Sequence, residues 1–291
     1  MIFDLIKFLP FGYLLLRFYT PFEFDSLNYL RFSSVFGFCY NFGFLALLLF
    51  FYSWFHKENA LTYRYGYVIL FAIGILLTGS RSVIAAFLWA IGISYLLYVK
   101  GVGRKIRYTL WTIVLFIALY NVLKTIDAPI VTSTLQYVER LVDAMFGDGS
   151  DGSYDTRQNQ FSLALSYFSQ NYLFGIGSMK GSNEPIEMLL GYYLSSWGIV
   201  GTMVYLALMV YFLKIAYYSS THALIKDDIA FSKANMIWIL TIPVVGMSTP
   251  ITDQVRVFNL FYIVQGLQFL LYIKLKYATC NTHYYRFESG D

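Results

Sequence analysis

Apolar residues along this chain come in long blocks separated by short charged or turn-rich breaks, and the blocks have the lengths of bilayer-spanning helices. A span needs roughly 20 mostly apolar residues, fewer where the bilayer thins locally. Seven blocks predict spans: Phe36–Phe55, Tyr67–Thr78, Val83–Val99, Tyr108–Leu123, Ile199–Tyr217, Met236–Met247 and Val257–Lys274. A shorter, charge-bearing run, Ile2–Leu16, reads as the end of a further helix. Between the fourth and fifth blocks lies a long polar segment, Lys124 to Pro185. Within it, Gly147–Tyr154 reads as a polar loop, and Arg157–Tyr172 places Phe161, Leu163, Leu165 and Phe168 at helical spacing. That pattern predicts an amphipathic helix lying along the membrane surface. The fold class that follows is all-α: a polytopic integral membrane protein with about seven transmembrane helices. Residues 1–291 form a single transmembrane domain, with an outer loop over 124–185.

Composition strengthens this reading. The chain is 58% hydrophobic and only 13% charged, outside the range of ordinary soluble domains. Its 27 tyrosines, 27 phenylalanines and 5 tryptophans suit the headgroup belts of a bilayer. A net charge of +4 spread over short loops carries orientation information and does not suggest a nucleic-acid surface. Cys39 and Cys280 lie far apart and imply no disulfide framework, and His56, His222 and His283 are isolated, so no metal site is expected. Asp148, Asp151 and Asp155 depart from calcium-loop spacing and read as a solvated turn. Asp4, Lys7 and Pro10 interrupt the first apolar stretch, and no removable signal peptide is read there.

Charge also sets the sidedness. The loop with Lys100, Arg104, Lys105 and Arg107 is the strongest basic cluster, and the positive-inside rule makes it cytoplasmic. Alternation then puts Lys57, Arg64, Lys214, Lys226, Lys233, Lys274 and Lys276 on the same side. It puts Arg31, the turn Ser80-Arg81-Ser82, the segment 124–185 and Asp253–Arg256 on the outer face. Single outer arginines usually snorkel to headgroups. Several gathered on one side suggest a bidentate clamp for phosphate or pyrophosphate.

Four local patterns, in this order, resemble the superfamily of O-antigen polymerases and O-antigen ligases, enzymes of bacterial surface polysaccharide. They are Arg31-Phe-Ser-Ser-Val-Phe-Gly37 leading through Asn41 into a helix; Thr78-Gly-Ser-Arg-Ser82 between two helices; Arg157 with its amphipathic helix and Tyr172-Leu-Phe-Gly-Ile-Gly177; and Glu187 through Trp197-Gly-Ile-Val-Gly201. The resemblance covers about Arg31 to Tyr211. Ligases of the superfamily usually carry a histidine where this chain has Glu187, which tilts the reading toward polymerase. Helices that usually precede the arginine motif are missing, as in a short or N-terminally truncated member.

The resemblance implies a glycosyltransferase of the bacterial inner membrane, multi-pass, with its active face outward. Its substrate would be an oligosaccharide on undecaprenyl pyrophosphate, its surroundings membrane lipids, and its protein partners a flippase and a chain-length regulator. Neither metal nor cofactor is expected. Arg31, Ser80, Arg81, Arg157 and Arg256 would bind the pyrophosphate, with Arg81 and Arg157 stabilising its departure and Glu187 serving as base for the attacking hydroxyl. For Glu187 a helix-terminus role carries equal weight, since Asn183-Glu184-Pro185 precede it. Tyr192, Tyr193 and Trp197 read first as core or lipid-belt residues and second as sugar-stacking ones. A ligase is the nearest alternative. A lipid-linked saccharide transporter would show an internal repeat with broken helices in matching places, and neither is visible in the sequence. A non-catalytic assembly subunit is the remaining alternative.

Overall fold

The computed structural model describes residues 39–56, 61–99, 152–177 and 186–288, with scattered backbone positions between 101 and 121. These residues form seven α-helices and no strand. They are α1 (Cys39–Phe55), α2 (Leu61–Leu77), α3 (Arg81–Tyr98), α4 (Gly152–Gln170), α5 (Leu189–His222), α6 (Lys226–Val245) and α7 (Val255–Glu288). A 3-10 turn, Ile251–Asp253, leads into α7. Among the described residues four helical stretches are long and apolar enough to cross a membrane: Arg81–Tyr98, Leu189–His222, Lys226–Val245 and Val257–Ala278. Cys39–Phe55 and Tyr63–Leu77 are apolar but shorter. The protein is an α-helical, multi-pass membrane protein. The expected runs Ile2–Leu16 and Tyr108–Leu123 lie wholly and largely outside the described residues, as does most of the segment 124–185.

The bundle is organised around α6. In its apolar stretch 61% of residues are buried, against 22–33% in the other three long apolar helices, so α6 is the central post and the others form its wall. Small residues on α6 (Ala230, Ser232, Ala234) are fully or almost fully buried and let neighbours approach closely. Trp238 reaches α1, donating Nε1–H to the Phe44 carbonyl at 2.6 Å while its ring stacks on Phe44 at 4.6 Å. Trp89 of α3 donates to the Leu240 carbonyl of α6 at 3.2 Å.

These contacts define two ends. At one, His56 Nδ1 lies 2.8 Å from Asp227 Oδ1, Arg64 donates to the Trp54 carbonyl, and the Lys233 ammonium sits 4.9 Å from the Tyr98 ring centroid. At the other, the α2–α3 turn meets the C-terminal end of α6, where Ser248 Oγ and Ser82 Oγ are hydrogen-bonded at 2.6 Å. An added Cβ on Gly43 would fall 2.6 Å from Val83 and 3.2 Å from Thr78, so α1 also reaches this end. Arg64 and Lys233, grouped on one side by charge, share the first end, and the Ser-Arg turn lies at the second.

Several boundaries differ from expectation: α2 begins at Leu61, ahead of Tyr67, and α7 continues past Lys274 to Glu288. The Met236–Met247 run is the second half of a 20-residue helix that starts at Lys226. Ten polar-rich residues precede it, and they fold into the bundle because Ser232 and Asn235 are paired across the interface. Asn235 Nδ2 donates to Gln265 Oε1 at 3.1 Å, Gln265 Nε2 returns a bond to Asn235 Oδ1 at 2.9 Å, and Gln268 Nε2 donates to Ser232 Oγ at 3.1 Å. Such interhelical amide bonds hold helices together in lipid, where the hydrophobic effect does not. The loop expected over Gly147–Tyr154 is shorter, because α4 begins at Gly152.

Candidate functional site

Three helix junctions at the second end bring the motif residues together. The first is the α2–α3 turn. Gly79 takes φ +58, a left-handed conformation suited to glycine, and ends α2, its N–H bonding the Leu76 carbonyl at 3.1 Å. Ser80 then caps α3 in extended geometry without a side-chain capping bond, and Arg81 is the first helical residue. The unspent Ser80 hydroxyl lies 3.2 Å from Ser82 Oγ. Arg81 is half-buried.

The second junction joins α6 to α5. Gly246, just past α6, offers its carbonyl to the Leu189 N–H at 2.8 Å, so an acceptor at the end of α6 satisfies an orphan donor at the start of α5. Cβ atoms cannot be added there freely: one on Gly246 would lie 2.8 Å from the Leu189 side chain.

The third junction is a break within α5. Gly198 has φ +63 and ψ −167, which ends a first segment after Trp197 and starts a second at Ile199. The loop Tyr172–Gly177 enters this break and saturates its backbone groups. Ile176 and Gly177 donate to the Ser195 and Ser196 carbonyls at 2.9 and 3.0 Å, and Ile199 and Val200 donate to the Tyr172 and Leu173 carbonyls at 2.9 and 3.2 Å. In lipid such a break requires partners of this kind, because an unpaired peptide group costs several kcal/mol. The third and fourth sequence patterns therefore form one structure, with Gly175 and Gly198 at points where backbones touch. An added Cβ would lie 2.5 Å from Ser196 C at Gly175 and 2.4 Å from Leu173 O at Gly198. Gly201 leaves room for Trp197, whose Cβ would be 2.3 Å from its own. Among the described residues α5 is the only helix broken in its interior, and its break is filled by the chain's own loop.

Docking of that loop fixes α4. Ala164 is buried with Ile186 and Tyr192, and Gly191 leaves the gap that Ala164 and Phe161 fill. The packed face includes Phe161, Ala164 and Tyr167, while Phe168 meets Tyr172 edge-to-face; Leu165, expected on the apolar face, is 43% exposed. Gln160 Oε1 accepts the Glu187 N–H at 3.4 Å. Arg157, half-buried, lies three residues before Gln160 and so on the same helix face.

A continuous path of bonds and short chain segments thus links the sequence-derived residues. It runs from Arg81 and Ser82 to Ser248, through Gly246 to Leu189 and Glu187, and through Gln160 to the turn of α4 that carries Arg157. Arg256 lies in the first turn of α7. Arg31 lies outside the described residues. Glu187 is exposed, because α5 begins at Leu189 with Met188 as its cap. Tyr192 is 5% exposed and Tyr193 stacks on Tyr205 at 4.2 Å, both as parts of the core, whereas Trp197 is exposed. Sequence reasoning missed Gln160 and Ser248, since neither a lone glutamine on an amphipathic helix nor a serine after an apolar run carries a spacing signal.

Beside this path, a half-open apolar pocket of about 580 Å³ lies between α5 and α6. Its walls include Phe161, Met188, Tyr193, Met209, Pro243 and Met247. Among the described residues no group of three or more His, Cys, Asp or Glu side chains is placed to hold a metal ion.

Residues 66–206 match the model of a family described as O-antigen ligase. That interval includes the Ser-Arg turn, α4, the Tyr172–Gly177 loop and the Gly198 break. No curated protein matches the chain.

Proposed function

We propose, from the match of residues 66–206 to the O-antigen ligase family, that the protein transfers a glycan from a polyprenyl pyrophosphate to a hydroxyl of a second glycan at the outer membrane face. The observation that carries this reading is the convergence at one end of the bundle of the Arg81 turn, the Arg157 helix and the apolar cavity between α5 and α6. A lipid-linked pyrophosphate needs cationic and hydroxyl donors at its headgroup and an apolar wall for its chain, and this end of the molecule carries both.

In this reading the donor's glycosidic C–O bond to the pyrophosphate breaks as the acceptor hydroxyl attacks the anomeric carbon. Negative charge then grows on the departing phosphate oxygen. Arg81 and Arg157 stabilise that charge, with Arg31 and Arg256 assigned to the same clamp and the Ser80 and Ser82 hydroxyls as neutral donors. Glu187, beside Gln160, takes the proton of the attacking hydroxyl; its exposure leaves it open to an acceptor arriving from the aqueous side. Undecaprenyl is the expected lipid, the bacterial inner membrane the expected location, and a flippase and chain-length regulator the expected neighbours. Glutamate in place of the ligase histidine favours polymerisation of repeat units. The family's own description, O-antigen ligase, favours transfer to a different lipid acceptor as the second reading.

Arg81→Ala and Arg157→Ala should each lower transfer by ~10² to 10³, the usual loss when a transition-state charge partner is removed. The assay is the glycan ladder of complemented cells, with membrane levels of each variant matched. Long chains persisting in both variants would rule out the clamp. Loss of chain length with single units still exported indicates a polymerase, and loss of transfer to the final lipid acceptor indicates a ligase.

A further inference from the structure

We infer that Ser248 is a positioning residue of the transfer site, setting the direction of a three-hydroxyl chain that flanks Arg81. The inference rests on the reading above. Ser248 lies outside the matched interval and comes from a helix end 166 residues away in sequence from Ser82, yet its Oγ is 2.6 Å from Ser82 Oγ. Ser82 Oγ is in turn 3.2 Å from Ser80 Oγ, and Ser248 has a second acceptor, the Val245 carbonyl, at 3.0 Å.

Each hydroxyl has one hydrogen to donate, so the chain has two polarities. If Ser248 donates to Val245, then Ser82 donates to Ser248 and Ser80 to Ser82, and all three hydrogens are used inside the protein. If Ser248 donates to Ser82, then Ser82 donates to Ser80, and the Ser80 hydrogen is left for an acceptor beside Arg81. Ser80 is free to take this part because it makes no capping bond to α3. Thr78, the other hydroxyl at this turn, is already committed: it donates to the Ile75 carbonyl at 2.6 Å and accepts the Ser80 N–H at 3.3 Å. A phosphate oxygen gaining charge at this turn selects the second polarity. Hydrogen bonds aligned in one direction strengthen one another, and Ser248 is the residue from which that alignment starts. The same three-residue turn, Gly246–Ser248, holds Leu189 of α5, so Ser248 also fixes the first turn of α3 relative to the helix that follows Glu187.

The test uses the full-length protein, a polyprenyl pyrophosphate-linked oligosaccharide as donor, and an isosteric pair of variants, Ser248→Thr and Ser248→Val. Charge develops after binding, so the hydroxyl acts on kcat. The threonine variant should keep near-normal kcat, and the valine variant should lose about tenfold in kcat with donor KM little changed, in line with a charge-assisted hydrogen bond. Ser248→Val added to Ser82→Ala should cause no further loss, because the relay is already cut. Equal kcat for the two variants, with only thermal stability differing, would overturn the inference and leave Ser248 as a structural contact. A wild-type protein that transfers nothing would instead defeat the transfer reading itself, whereas activity lost in Arg81→Ala but equal in both Ser248 variants would defeat this inference alone.

Discussion

Gly198 shows how much of the site depends on single backbone positions. With φ +63 and Leu173 O only 2.4 Å from where a Cβ would stand, alanine cannot be placed there without expelling the Tyr172–Gly177 loop. With ψ −167 Gly198 sits in a region open essentially to glycine alone, which costs another residue about 1–3 kcal/mol, and the freed peptide groups add to it. Gly198→Ala and Gly175→Ala should therefore lower the melting temperature in detergent by several degrees and expose the loop to protease. Gly92→Ala, at a helical position with nothing within 4 Å, should not. Unchanged protease resistance in Gly198→Ala would show that the loop is not held by the break. These glycines were legible as two motifs, Gly175-Ile-Gly177 and Gly198-Ile-Val-Gly201, because glycine spacing survives in sequence. Their mutual docking was not, since it is made by backbone groups that every residue has. The turn Ser80-Arg81-Ser82 was legible for a similar reason, whereas Ser248 acquires meaning only through the fold that brings it to Ser82.

Among the elements, α6 departs most from what hydropathy suggests. A hydropathy reading stops at Met236, because Lys226, Asp227, Asp228, Lys233 and Asn235 look like loop, yet the helix begins at Lys226. At about 1.5 Å per residue its 20 residues span about 30 Å, the thickness of a hydrocarbon core. The reciprocal amide pair Asn235–Gln265 makes this length tolerable, with both side chains at 0–3% exposure. Asn235→Leu leaves the buried Gln265 amide unpaired, and Gln265→Leu leaves Asn235 with only the longer bond to Gln268 Oε1 at 3.4 Å; each should cost about 1–3 kcal/mol. The double variant should cost clearly less than the sum, a coupling readable by thermal unfolding in detergent. Strict additivity would mean that the pair does not join α6 to α7. By contrast α3 and the second segment of α5 were legible almost to their ends, because Arg81 and Gly198 punctuate otherwise unbroken apolar runs. The start of α4 was not legible, since Gly152-Ser-Tyr-Asp-Thr156 is as polar as a loop.

For the molecule as a whole, the all-α membrane class and the separation of a basic end from an arginine-turn end follow from composition and charge alone. Structure adds the order within the bundle: α6 as the centre, and three junctions at one end where α3, α5 and the α4 loop are tied to it or to one another. That arrangement puts the Ser80-Arg81-Ser82 turn, the Arg157 helix and the apolar pocket between α5 and α6 toward one end of the bundle, which a list of motifs does not. The transporter alternative gains little from the break at Gly198, because transporters use such breaks to face a cavity, whereas this one is filled by Tyr172–Gly177. Glycan transfer from a polyprenyl pyrophosphate at the Arg81 end of the bundle can be measured with purified protein and a synthetic undecaprenyl pyrophosphate-linked repeat unit, without nucleotide sugar or added metal. The glycan should lengthen and undecaprenyl pyrophosphate should be released, both reduced ~10² to 10³ in Arg81→Ala; growth that requires a nucleotide sugar, or that is unaffected by loss of Arg81, would overturn the proposed transfer.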